Sequence, residues 1–229
     1  MNIKRLAILG SVVVIAYLTV AVVWAAAPWS LFGRAVAVRQ GQGPDPWAIQ
    51  LESRCPSGFP SCLSDGSFTF SGVAFREPQG GLTFANVFHL STDFNRTNDD
   101  CGGGSPRFQL NTDMNGNGVF DPPADGNVFV YFGPLPNFTG CSPGWQSTGN
   151  LIGIPISDTR YDLTQVGGTF YDTYANALTL LGSKTVPGIQ LVVDSGWNGP
   201  ATGNDSEQTI LVDNVRVNDH HRRAHGFRP

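Results

Sequence analysis

Lysine is nearly absent from this 229-residue chain, which holds only Lys4 and Lys184, and glutamate is limited to Glu52, Glu77 and Glu207. Set against 28 Gly and 16 Pro, this shortage of helix formers excludes a helical bundle and favours short strands joined by turns. Catalytic signatures are missing too: the sequence has no GxSxG elbow, no HExxH helix and no Walker loop. No two cysteines lie closer than seven positions and no histidine is near any of them, which removes a CxxC-type zinc site. After the first 27 residues, no run is apolar enough to span a bilayer.

What is present begins with an export-type N-terminus. Lys4 and Arg5 precede an uncharged apolar run, Leu6 to Trp24, followed by Ala25, Ala26 and Ala27. That order is the layout of a secretory signal. The run has 19 residues, enough to cross a hydrocarbon core of about 30 Å. Pro28 is a poor residue to follow a cleavage point, and Ala35-Val36-Ala37 offers a second small-x-small site. Cleaved export and an uncleaved membrane anchor both remain open; either leaves the bulk of the chain outside the membrane. Removing residues 1–27 takes away Lys4 and Arg5 but no acid, leaving 12 basic against 18 acidic side chains, a charge of −6. That balance argues against a nucleic-acid partner.

Four cysteines in an exported chain predict disulfides. Cys55 and Cys62 enclose the short loop PSGFPS, so local closure pairs them and leaves Cys101 for Cys141. The chain divides into residues 1–37, a signal or anchor with a short linker; residues 38–219, the folded domain; and residues 220–229, a disordered basic tail. Pro28 to Pro46 shows no periodicity and reads as linker. Strands are predicted over Gly66–Arg76, Leu82–Phe94, Arg107–Thr112 and Asn127–Gly133, each a β-branched and aromatic run bounded by turn residues. Phe170, Tyr174, Ala177, Leu178 and Leu181 recur at helical spacing before Gly182, predicting one amphipathic helix of about three turns. Ile189–Trp197 and Gln208–Asn218 read as a final antiparallel strand pair. The fold class is therefore mainly β, an antiparallel β-sandwich of jelly-roll kind with one short helix.

One stretch invites a chemical reading. TDMNGNGVFDPPADGN, Thr112 to Asn127, matches the calcium-loop template D-x-[DN]-x-[DN]-G at Asp113, Asn115, Asn117 and Gly118. Val119 would offer its carbonyl and Asp121 the ninth-position oxygen. The twelfth position is Ala124 where an EF-hand has glutamate, Asp125 comes one residue late, and Pro122-Pro123 forbids a following helix. The loop is thus no EF-hand. It is either a calcium loop in a hairpin, with calcium as the expected cofactor, or a turn whose asparagines bond their own backbone.

IQLVVDSGW and QTILVDNVRVN resemble the last strand pair of galactose-binding-like jelly-roll domains and of the carbohydrate-binding modules built on them. The resemblance implies that Asp213 helps to hold a structural calcium, with Glu52 as its partner, unless it is simply a strand aspartate beside a turn. It also implies sugar binding through exposed aromatic faces. Trp145 and Trp197 lie in loops where such a platform could sit, although loop anchoring is the commoner fate of a tryptophan beside glycine. His89 reads as a strand histidine with a partner, and Asp99-Asp100, beside a predicted disulfide, as a turn rather than a glycosidase pair. The expected function is a non-catalytic, exported, calcium-supported domain whose partner is an extracellular glycan or cell-surface component. A structural or adhesive surface protein is the competing class, and a secreted glycoside hydrolase a lesser one.

Overall fold

A computed structural model describes residues 28–56, 69–77, 81–102, 104–194 and 207–227. The N-terminal apolar run, Cys62 and Trp197 lie outside those residues. Two antiparallel sheets pack face to face. The first has the strand order β1 (Trp29–Gly33), β4 (Phe70–Phe75), β10 (Thr185–Asp194), β6 (Arg107–Asp113), β7 (Gly126–Tyr131), β9 (Tyr161–Asp162). The second runs β2 (Val36–Val38), β3 (Ala48–Arg54), β11 (Glu207–Val217), β5 (Leu90–Asn98), β8 (Gln146–Ser147), with β12 (His220–Arg222) also on β11. The predicted antiparallel β-sandwich is the fold.

Alternation sets the layers. Along β6 and β7, Phe108, Leu110, Val128 and Val130 point inward and are buried, as are Ile189, Leu191 and Val193 of β10. Ile49, Leu51, Ile210 and Val212 close the core from the second sheet. Period-two burial of this kind lets one face of each sheet form the core while the other meets water.

Several expectations are corrected. The two C-terminal strands do not pair with each other: β10 is inserted between β4 and β6, and β11 between β3 and β5. Both are rich in apolar residues because each is a central strand, flanked on two sides. The predicted linker contributes β1 and β2, with Trp29 buried against Phe75 at a ring distance of 4.8 Å. Pairing with β4 and β3 holds these residues, and backbone pairing leaves no mark in a periodicity so short. The predicted disordered tail is docked through residue 227. β12 pairs with Val215–Val217, Ala224 is fully buried, and its N–H donates to the Asp213 carboxylate at 2.8 Å.

The helix, α1 (Tyr174–Leu181), is shorter than predicted. Its N-cap Thr173 accepts from the Asn176 N–H at 3.2 Å. Just before it, Asp172 accepts from the N–H groups of Thr169 and Thr173 and from the Asn176 amide, so Phe170 belongs to a loop, where it is exposed.

Candidate functional site

The outward face of the first sheet carries a groove. Its floor is built from register: Gln109 of β6 stands opposite Gln190 of β10 and Phe129 of β7, and Asn111 opposite Gly188 and Asn127. These residues alternate with the buried core positions, so period two turns all of them to the same side. A cleft of about 540 Å³ is lined by Arg76, Gln109, Asn111, Gly118, Val119, Phe120, Pro187, Gly188 and Gln190. Gly188 keeps the floor open, since a Cβ there would sit 2.9 Å from Asn111 Oδ1.

The floor is only partly self-satisfied. Gln109 Nε2 donates to Gln190 Oε1 at 3.3 Å, and Asn111 Nδ2 to Asn127 Oδ1 at 2.8 Å. Among the described residues, Gln109 Oε1, Asn111 Oδ1 and the Gln190 NH₂ have no partner beyond these bonds. The cleft thus shows acceptors and donors in one neutral strip, with Val119, Phe120 and Pro187 as apolar wall.

At the far end of β6 a smaller cleft of about 210 Å³ is lined by Gly104, Arg107, Phe129, Tyr131, Asp162, Phe170 and Asp194. Here the polar groups are bonded to one another. Arg107 donates to Asp194 at 3.3 Å and to the Gly104 carbonyl at 3.0 Å, and its guanidinium lies 4.8 Å from the Phe129 ring centre. Tyr131 donates to Asp162 at 2.9 Å, and Asp162 also accepts from the Thr164 N–H and hydroxyl. Burial, reinforced by the Asp162 charge, pushes the Tyr131 phenol far above its ordinary range, so it stays a neutral donor.

The Asp113–Asp125 loop forms one wall of the larger cleft through Gly118, Val119 and Phe120. Asp113 is buried and accepts from the N–H groups of Gly116 at 2.6 Å and Gly118 at 2.7 Å. Asn115 and Asn117 turn their NH₂ groups to Asp121 and accept from the N–H two residues on. Asp125, off the calcium template and given no role from sequence, clamps the loop by accepting from the N–H groups of Asp121, Met114 and Asn115. Chiefly the Asp121 N–H, with the other two, holds its carboxyl below the usual carboxylate range. The donors are hard oxygens of the type calcium takes. In this conformation, however, the three loop carboxylates do not converge: among the described residues the only acidic or sulfur ligands grouped within 4.8 Å are Asp100, Cys101 and Cys141. Those two sulfurs are bonded to each other, which excludes a thiolate site.

The remaining predicted residues are placed as follows. Cys101–Cys141 is a disulfide, and Cys55 is buried and disulfide-bonded while its expected partner Cys62 lies outside the described residues. Asp213 anchors Ala224 and stands opposite Asp93. Glu52 is not beside Asp213: it pairs with Thr209, four residues along β11, and bonds Arg34 and Arg54, both at 2.6 Å. Trp145 is half-buried next to β8 on the second sheet and lines none of the clefts above. His89 bonds Ser91 at 2.8 Å, and burial first, then the nearby Arg216 charge, lowers its pKa. The groove itself escaped the sequence reading; Gln109, Asn111 and Gln190, each alternating with buried strand residues, are its trace in the sequence.

No protein-family model matches the sequence, and no curated protein matches it. Among solved structures, the chain is similar to that of an exo-beta-agarase, with 12% identity and a TM-score of 0.34, covering 86% of this chain and 23% of that one. This chain therefore spans less than a quarter of that enzyme, and so loose a likeness carries no argument about ligand or activity.

Proposed function

We propose that the protein is an exported β-sandwich that binds a glycan in the groove on the first sheet and performs no reaction of its own. The observation that carries this reading is the strip of unsatisfied carboxamide groups, Gln109, Asn111 and Gln190, against the apolar wall of Val119, Phe120 and Pro187. A sugar hydroxyl both donates and accepts, and an amide offers both functions in one plane; the wall suits the C–H faces of a sugar ring. The acids of the neighbouring cleft, Asp162 and Asp194, are tied to Tyr131 and Arg107, which supports binding rather than catalysis.

Export fits the charged and apolar N-terminus and the disulfide. Processing after Ala37 would cut away β1 and most of β2, so any cleavage is expected before Trp29. Calcium at this loop is the proposed support of the groove wall; to hold it, Asp113, Asp121 and Asp125 would have to turn from the N–H groups they accept from in this conformation.

A glycan array probed with wild type and with Gln109→Ala/Gln190→Ala tests the reading. Binding that the double variant loses while its melting temperature stays within a few degrees supports it. Binding that survives in the double variant moves the site elsewhere, and no binding by folded wild type transfers the case to a structural surface protein.

A further inference from the structure

The cations around the groove differ in one respect. Arg107 is held by Asp194 and the Gly104 carbonyl. Arg160 is held by Asp158 at 2.9 Å and by the Tyr131 carbonyl at 2.7 Å. Lys184 donates to the Met114 carbonyl at 2.8 Å. Arg76 lines the groove, is exposed, and its guanidinium has no hydrogen bond or ion pair among the described residues. The adjacent Glu77 is turned away, 3.5 Å from His220.

Register fixes where this free guanidinium stands. Gln190 pairs with Ala74 and Ile189 with Phe75, so Arg76 is the next step along, a diagonal neighbour of Gln190 at about 7–8 Å. One sugar ring spans that distance. A ring seated on the amides of Gln109 and Gln190 therefore carries its substituent to Arg76.

We infer that the glycan bound here is acidic, with a carboxylate or sulfate paired to Arg76 and the hydroxyls of the same or next residue on Gln109, Asn111 and Gln190. This rests on the glycan reading above and names its ligand class. A guanidinium fork matches either oxyanion in a bidentate, charge-assisted bond. The exported chain carries −6 overall, so a polyanion is repelled at long range and attraction is confined to this point; screening beyond about 8–10 Å makes the local charge decisive at physiological salt.

Affinity electrophoresis on gels containing four polymers provides the test: polygalacturonate, its fully methyl-esterified form, a sulfated galactan such as carrageenan, and unsulfated agarose. At least one acidic polymer is expected to bind about tenfold more tightly than its neutral counterpart, the scale of one charge-assisted bond. The carboxylate and sulfate arms identify which oxyanion is read. Arg76→Gln should erase that difference, and Arg223→Gln, an exposed guanidinium outside the groove, should not. Because Arg76 is exposed, both variants should melt with wild type. Equal binding of acidic and neutral polymers, or an unchanged preference in Arg76→Gln, overturns the inference and leaves the glycan reading standing. Absence of retardation by all four polymers overturns the inference, and the glycan reading then stands or falls on the array.

Discussion

The outer faces of the two sheets are built from similar side chains and put to opposite use. On the second sheet several charged groups are paired: Glu52 bonds Arg34 and Arg54, Arg54 reaches Glu207 at 3.1 Å, and Asp93 accepts from Gln42 and Asn214. On the first sheet, among the described residues, the amides of Gln109, Asn111 and Gln190 retain free acceptors and donors, and Arg76 has no acceptor. A satisfied polar face contributes to stability; an unsatisfied one, kept wet, contributes little to folding and is available to a ligand. The difference lies in pairing, not in composition.

Three changes break or sharpen that contrast. The largest expected effect lies at neither face but at the disulfide that ties Cys101 to Cys141 across a separation of 40 residues. Replacing both with serine should cost about 3–4 kcal/mol in the chain-entropy picture, read as a lower denaturation midpoint with unchanged glycan affinity.

A smaller effect separates the faces directly. Glu52→Gln should cost about 1 kcal/mol, modest because Arg34 and Arg54 are half-exposed and screened, and leave binding intact. Gln109→Ala should change stability by less than about 0.5 kcal/mol and remove binding. Chemical denaturation beside binding measurements checks both; equal stability losses at the two positions would dissolve the contrast.

A further effect, conditional on calcium, concerns the groove wall. A loop with few carboxylates binds calcium at about 10⁻⁴ to 10⁻³ M, and at ten times Kd the gain is about 1.4 kcal/mol, or roughly 3–5 °C for a domain of this size. Wild type should gain this between EGTA and millimolar calcium, and Asp113→Ala should not. If both melt alike, the hydrogen bonds among Asp113, Asn115, Asn117, Asp121 and Asp125 are the whole function of the loop.

The sequence by itself determined the sandwich, six of the seven strands of six or more residues in outline (β3, Ala48–Arg54, was missed), the position of the helix and the Cys101–Cys141 pairing, because period-two apolar alternation, turn residues and loop closure are local or nearly local signals. It also singled out the Thr112–Asn127 loop, whose template is contiguous, but missed Asp125, which acts from outside that template. Only the tertiary structure decided that β10 and β11 sit in opposite sheets, that Trp29 and Ala224 belong to the core, and that Glu52 answers to arginines rather than to Asp213. It alone brought Arg76 beside Gln190 from a different strand. Strand partnership is chosen between segments far apart in the chain, by which buried faces fit together, and no single segment carries that information in its own residues.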